Sequence, residues 1–246
     1  MINYDIRYRR QLIMERFGEE GQKKLGNAKV LVIGAGGLGS PIISYLSAAG
    51  VGKLGIVDHD VIEESNLQRQ IIHKTSLLNY PKVNSAERFV NELNPAVETE
   101  IFQMKLDKEK AQQLFINYDV IVDAVDNLET RKIINAVCSE NDIPFVHGSI
   151  SNFEGLVTTI TPDASHCYNC IFPKSDFVHK GEIGVIGAIP GIIGSIQVLE
   201  VIKLIVGLPV LKDEILYYNG LTHDLRKVKI NVKSCNCFSK ETVKSN

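Results

Sequence analysis

An apolar run over residues 30–33 passes straight into Gly34-Ala35-Gly36-Gly37-Leu38-Gly39, then into a helical pattern and a second apolar run, 54–57, ending at Asp58. No other stretch restricts the fold as much. A strand, a glycine loop and a helix turn backbone N–H groups toward a phosphate at the helix N-terminus. Gly34 permits the tight turn, Gly36 and Gly37 let a ligand approach the backbone, and Gly39 lets helix and strand pack closely. Asp58 closes the second strand where a carboxylate accepts hydrogen bonds from ribose hydroxyls. The competing reading is a βαβ unit with a tight turn and no ligand.

The alternation of strand and helix continues to about residue 151, which calls for a parallel sheet covered on both faces. Strands are predicted over 30–33, 54–57, 97–102, 120–123 and 145–147, and helices over 38–49, 82–93, 108–115 and 128–140. The first 25 residues read as a charged helical arm. Beyond Asn152 the pattern changes to antiparallel strands at 155–161, 215–218 and 228–232 around a long helix near 192–206. The expected fold class is therefore α/β: a Rossmann-like, mostly parallel sheet with helices on both faces, extended by C-terminal antiparallel strands. No linker or repeat interrupts the chain, so 1–246 reads as a single domain. Its parts are an arm (1–28), a nucleotide-binding part (29–151) and a β-rich part (152–246).

The glycine loop alone suggests a dinucleotide, NAD or FAD. A triphosphate carries about four negative charges and needs several cations. Arg69 and Lys82 follow the second strand on segments expected to fold over the carboxyl ends of the strands, where ligands bind in open α/β sheets. Arg69 offers a bidentate clamp and Lys82 a point charge, while Asn66 and Gln70 offer neutral hydrogen bonds. Each of these alone also fits a solvated surface group. The apolar strand 120–123 ends at the same edge and leads to Asp126, a candidate for holding Mg²⁺. Asp126 equally fits an N-cap for the helix starting at Leu128.

Taken together, Arg7-Tyr8-Arg9-Arg10-Gln11, the glycine loop, Ala49-Gly50-Val51-Gly52, Ser65-Asn66-Leu67-Gln68-Arg69-Gln70, Pro81-Lys82-Val83 and Asp126-Asn127 resemble the ThiF/MoeB/HesA family, bacterial relatives of ubiquitin-activating enzymes. The resemblance runs from about Arg7 to Cys237. It implies binding of Mg·ATP and adenylylation of the C-terminal glycine of a small ubiquitin-like sulfur-carrier protein, for thiamine-thiazole or molybdopterin synthesis. In this resemblance Gly37 and Asp58 hold the nucleotide, together with the string Ser65, Asn66, Leu67, Gln68 and Arg69. Lys82 binds phosphate, and Asp126, with Asn127 beside it, holds the metal. Arg10 matches an arginine that reaches across a homodimer into the neighbouring site. Three other readings stay open: activation of a short peptide, an NAD-dependent oxidoreductase, and a non-catalytic scaffold.

Cys167-Tyr168-Asn169-Cys170 and Cys235-Asn236-Cys237 supply four thiols at a spacing that suits a structural zinc. The family commonly has two Cys-x-x-Cys pairs, so the tighter second pair is a departure, and His166 is an alternative ligand to Cys237. Four reduced thiols without a metal are the bland alternative. Several relatives carry a cysteine in the crossover segment where this chain has Val178-His179-Lys180-Gly181-Glu182-Ile183. Its replacement points to a separate sulfurtransferase. Cys138 falls in a helical pattern and is expected in the core.

A formal net charge of -2 gives no basic excess for nucleic acid or an anionic membrane. The stretch 183–211 is apolar enough to resemble a membrane span, but Gln197, Glu200 and Lys203 interrupt it, so a buried helix is expected. The charged N-terminus lacks the apolar core of a secretory signal. The expected compartment is the cytoplasm.

Overall fold

The computed structural model describes residues 4–173, 184–231 and 235. At its centre lie five parallel strands: β1 (Lys29–Ile33), β2 (Lys53–Val57), β3 (Glu98–Phe102), β4 (Val120–Asp123) and β5 (Phe145–Ser151). Their order is β3-β2-β1-β4-β5. β6 (Glu154–Ile160), β7 (Glu214–Asn219) and β8 (Asp224–Lys229) continue the same sheet antiparallel beyond β5. The helices among the described residues are α1 (Tyr4–Arg7), α2 (Arg9–Leu12), α3 (Gly18–Asn27), α4 (Gly39–Ala49), α5 (Lys82–Leu93), α6 (Lys108–Phe115), α7 (Leu128–Glu140), α8 (Tyr168–Ile171) and α9 (Ala188–Val206).

Successive side chains of a strand point to opposite faces, and the central strands are apolar on both. Val30 and Val32 join one core with Ile42, Ile43 and Leu46 of α4 and Ile193 of α9. Leu31 and Ile33 join the other, with Phe115 of α6 and Ile134 of α7. Parallel strands covered on both faces need such continuous apolar runs. At about 1.5–3 kcal/mol for each buried large aliphatic side chain, the two layers lock the carboxyl ends of β1, β2 and β4 into one fixed edge.

The expected helical arm consists of three short helices, and Tyr8, between the first two, is buried and turned inward, where its hydroxyl accepts from Asn94 Nδ2 at 2.8 Å. β5 runs past His147 because Ser149 to Ser151 pair with β6 across a tight hairpin, and Asn152 takes the left-handed conformation (φ 51°) that such a turn asks for. α9 begins at Ala188 rather than 192. Pro190 lies in its first turn, where the missing N–H has no intrahelical partner to lose. β8 begins earlier than the expected 228–232, its register set by the pairing of Asn219 with Asp224; position 232 lies outside the described residues.

By length and composition α9 is apolar enough to cross a membrane. Its buried polar side chains are joined to the sheet. Gln197 Nε2 donates to the carbonyls of Asp123 (2.8 Å) and Val146 (3.3 Å). Glu200 Oε2 accepts from Thr159 Oγ1 at 2.8 Å and the Leu211 N–H at 2.7 Å, and its other oxygen pairs with Lys203.

Candidate active site

The glycine loop stands at the carboxyl edge of β1. Gly34 has φ +102°, and a Cβ there would lie 2.7 Å from the Ala124 carbonyl oxygen; one on Gly39 would lie 2.1 Å from the Gly34 oxygen. Neither position has room for a side chain. The loop is also tied from outside. Asp58 Oδ2 accepts the Ala35 N–H at 2.8 Å and Oδ1 accepts the Asp60 N–H at 2.9 Å, so the carboxylate expected at a ribose also fastens the loop. His73 holds the other side of Ala35, its Nε2 lying 2.9 Å from the Ala35 carbonyl oxygen and its Nδ1 2.9 Å from Ser85 Oγ. A carbonyl only accepts, so Nε2 carries the proton and the serine hydroxyl donates to Nδ1. Burial holds the His73 imidazole below its ordinary value, the Ala35 hydrogen bond opposes this, and the Lys82 cation adds to the lowering.

Of the expected phosphate ligands, Arg69 lies directly over the loop. Its Cγ and Cδ are 3.6 Å from where a Cβ on Gly37 would stand. Its Nη1 donates to the Ser65 carbonyl at 3.0 Å, which leaves the rest of the fork for an anion. Gln70, nearly buried, places its Nε2 3.6 Å from the corresponding position on Gly36, and its Oε1 is without a hydrogen-bond partner. Asn66 is buried and spends its Oδ1 on the Glu63 N–H at 3.3 Å, capping the 3-10 turn Glu64–Asn66. Ser65 and Gln68 are exposed, and Leu67 is half-buried.

Lys82 opens α5 and is only 6% exposed, yet its ammonium pairs at 2.9 Å with Asp60, which faces solvent. The Lys82 N–H also donates to the Asp60 carbonyl at 3.0 Å. Lys82 is thus a nearly buried cation whose counter-ion is exposed. His59 is exposed and pairs with Asp60 at 3.3 Å.

Asp126 is exposed on the loop after β4. It is not the N-cap of α7. That position belongs to Asn127, whose Oδ1 accepts the Thr130 N–H at 2.9 Å. Asp126 therefore keeps both carboxylate oxygens clear of the helix. Arg10, exposed on α2, makes no hydrogen bond or ion pair with the glycine loop among the described residues.

The cysteines lie apart from this edge. The sulfur atoms of Cys167, Cys170 and Cys235 all fall within 4.8 Å of one another, Cys167 and Cys170 being 3.7 Å apart. Sulfurs around a tetrahedral zinc at about 2.3 Å stand roughly 3.8 Å apart, so the three thiols fit that ion. Burial, reinforced by the Cys235 thiol, pushes Cys167 up to about 11. His166, the alternative ligand, is not among these three, and its Nε2 is 3.2 Å from the Ile230 carbonyl and its Nδ1 3.5 Å from Asp213. Cys237 and the crossover segment 178–183 lie outside the described residues. Cys138 is buried in α7 as expected.

The model of the ThiF family matches residues 8–239. The chain belongs to the ThiF family. Among curated relatives, the SAMP-activating enzyme E1 of Haloferax volcanii is 46% identical over 205 residues, covering 81% of this chain and 75% of that protein. The adenylyltransferase and sulfurtransferase MOCS3 of Culex quinquefasciatus is 40% identical over 242 residues, covering 96% of this chain and 55% of the enzyme. The chain thus spans little more than half the length of that ThiF-family relative. Among solved structures, E. coli MccB with MccA superposes at a TM-score of 0.84 with 20% identity, covering 96% of this chain and 74% of that one. That likeness establishes the shared fold: a mostly parallel sheet, helices on both faces, antiparallel strands at one end.

Sequence reasoning did not find His73, or the buried group around Asp123. A histidine three residues past Ser65-Asn66-Leu67-Gln68-Arg69-Gln70, and another in the apolar strand Phe145-Val146-His147, are the signals it had.

Proposed function

We propose that this chain is an ATP-dependent adenylyltransferase that activates the C-terminal glycine carboxylate of a ubiquitin-like sulfur-carrier protein. The observation that carries the reading is the Arg69 stem lying against Gly37, with the nearly buried Lys82 close to His73, which holds Ala35 of the same loop. Two cations at a glycine loop match a triphosphate; a dinucleotide needs neither. The names of the relatives in Haloferax volcanii and Culex quinquefasciatus support the same activity.

A C-terminal carboxylate is ionised near neutral pH, its reference pKa being roughly 3.3–3.7, so no general base is required. Its oxygen attacks the α-phosphorus. An O–P bond forms, the bond to the bridging α,β-oxygen breaks, and pyrophosphate leaves with that electron pair. The barrier is the approach of one anion to another. Arg69 and Lys82 lower it by holding positive charge where the phosphates lie, and Asp126 would hold magnesium, which when bound neutralises phosphate charge. At an effective dielectric near 20, one charge pair about 4 Å apart is worth about 4 kcal/mol.

In the same reading Arg10 serves the neighbouring site of a homodimer. Cys167, Cys170, Cys235 and Cys237 hold a zinc that ties the C-terminal segment to the body. Sulfur reaches the acyl-adenylate from a separate sulfurtransferase, in the cytoplasm, for thiamine-thiazole or molybdopterin synthesis. ATP–pyrophosphate exchange with a panel of purified carrier proteins ending in Gly-Gly tests this. Exchange that appears with one carrier and vanishes when its C-terminus is amidated is the expected result. Absence of exchange with every carrier, alongside turnover of NADH, would overturn it.

A further inference from the structure

Asp123 ends β4 three residues before Asp126 and is fully buried. A carboxylate taken out of water persists only with compensating charge and hydrogen bonds, and Asp123 has both. Oδ2 accepts from His147 Nδ1 at 2.6 Å and lies 3.8 Å from Arg131 Nε. Oδ1 accepts the Val125 N–H at 3.2 Å. Burial keeps the His147 imidazole below its ordinary value, more than the adjacent carboxylate raises it, so Arg131 supplies the full positive charge.

Arg131 has a second task. From the first turn of α7 its Nη2 donates to the Val125 carbonyl at 2.8 Å. Val125, the residue before Asp126, is thus gripped by its N–H and its C=O, from one buried ion pair. Gln197 of α9 holds the Asp123 carbonyl, and Gly34 packs on Ala124. Behind the group stands Tyr168, whose ring meets His147 edge-on at 4.9 Å and whose hydroxyl lies beside the Arg131 guanidinium. Asp126 itself makes no side-chain hydrogen bond with another described residue, so nothing on its own carboxylate sets its position.

We propose that Asp123, His147 and Arg131 are positioning residues: a buried group that fixes the Ala124–Val125 backbone so that the Asp126 carboxylate is held ready for the divalent cation of the bound nucleotide. The inference rests on the function proposed above and adds three residues to it, none of which touches substrate.

The test is direct binding. Mn²⁺ is titrated into protein with and without ATP, and free Mn²⁺ is read by electron paramagnetic resonance; ATP binding without metal is measured separately by calorimetry. Arg131→Met removes the grip on Val125 and leaves Asp123 with His147. One charge-assisted hydrogen bond corresponds to about a ten-fold change, so Mn²⁺ affinity in the presence of ATP should fall by about ten-fold, with metal-free ATP affinity unchanged. Equal Mn²⁺ affinity in wild type and variant overturns the inference, as does a matching fall in both affinities, which marks a collapsed site. If Arg131→Met does not fold, Arg131→Lys keeps the charge but loses the fork. It should shift Mn²⁺ affinity less in the same sense, with the same contrary outcomes. Wild-type protein that binds no Mn²⁺ with ATP would instead count against the proposed function.

Discussion

β4 and β8 belong to one sheet and meet opposite surroundings. All four residues of β4 are buried between the helical layers, while all six of β8 are exposed. The parallel half spends its side chains on two cores and so presents a rigid edge, to which Asp58, Lys82 and Asp126 are attached. In the antiparallel half β6 still feeds the core through Val157 and Ile160, whereas β8 at the outer edge keeps Leu225 and Val228 in solvent, 59% and 46% exposed. The candidate chemistry therefore sits on the doubly covered parallel edge, and the exposed surface lies at β8.

Substitutions can break that contrast. The largest effect should come from Arg69→Ala. Losing one phosphate cation, worth about 4 kcal/mol, should cut pyrophosphate exchange by roughly a thousand-fold while the melting temperature stays put, because Arg69 supports no core. A comparable loss of stability would show that the loop is held together by Arg69 itself. Next comes Ile121→Ala in β4, which leaves a hole between sheet and helices and should cost about 2–5 kcal/mol by urea unfolding.

The pH response is smaller. His73 and His147 are both held below the ordinary histidine value by burial. Below about pH 6.5 the unfolded chain binds protons that the folded one refuses. Stability should therefore hold above neutrality and decline as pH falls through that value, by at most about 1.4 kcal/mol per pH unit for each proton. His73→Gln should make the decline shallower; an unchanged slope would mean that His73 titrates freely. The smallest effect belongs to Val228→Ala in β8, expected within about 0.5 kcal/mol of wild type. A cost matching that of Ile121→Ala would show β8 to be covered in solution.

The same contrast governs what could be read from the chain. Residues 30–58 were legible because each constraint is local: an apolar run for a doubly covered strand, glycines where Gly34 and Gly39 admit no Cβ, a carboxylate at the next strand's end. Arg69 and Lys82 were legible as charges, while the pairing of Lys82 with Asp60 was not, since a long loop folds back to make it. His73 meets Ala35 across 38 residues and His147 meets Asp123 across 24. The first pair exists only once the loop after β2 folds back over β1, and the second only once the sheet order sets β4 beside β5. Local pattern also misplaced β8, whose polar alternation marks no boundary and whose register comes from β7.

The central claim is that this edge joins a carboxylate to AMP, and intact-mass analysis of a Gly-Gly carrier incubated with the protein, ATP and Mg²⁺ tests it most directly. The account predicts a carrier heavier by one adenylyl group at its C-terminal glycine, returned to its starting mass by added pyrophosphate. A carrier that stays unmodified while the protein consumes ATP, or that gains AMP on an internal side chain, would contradict it.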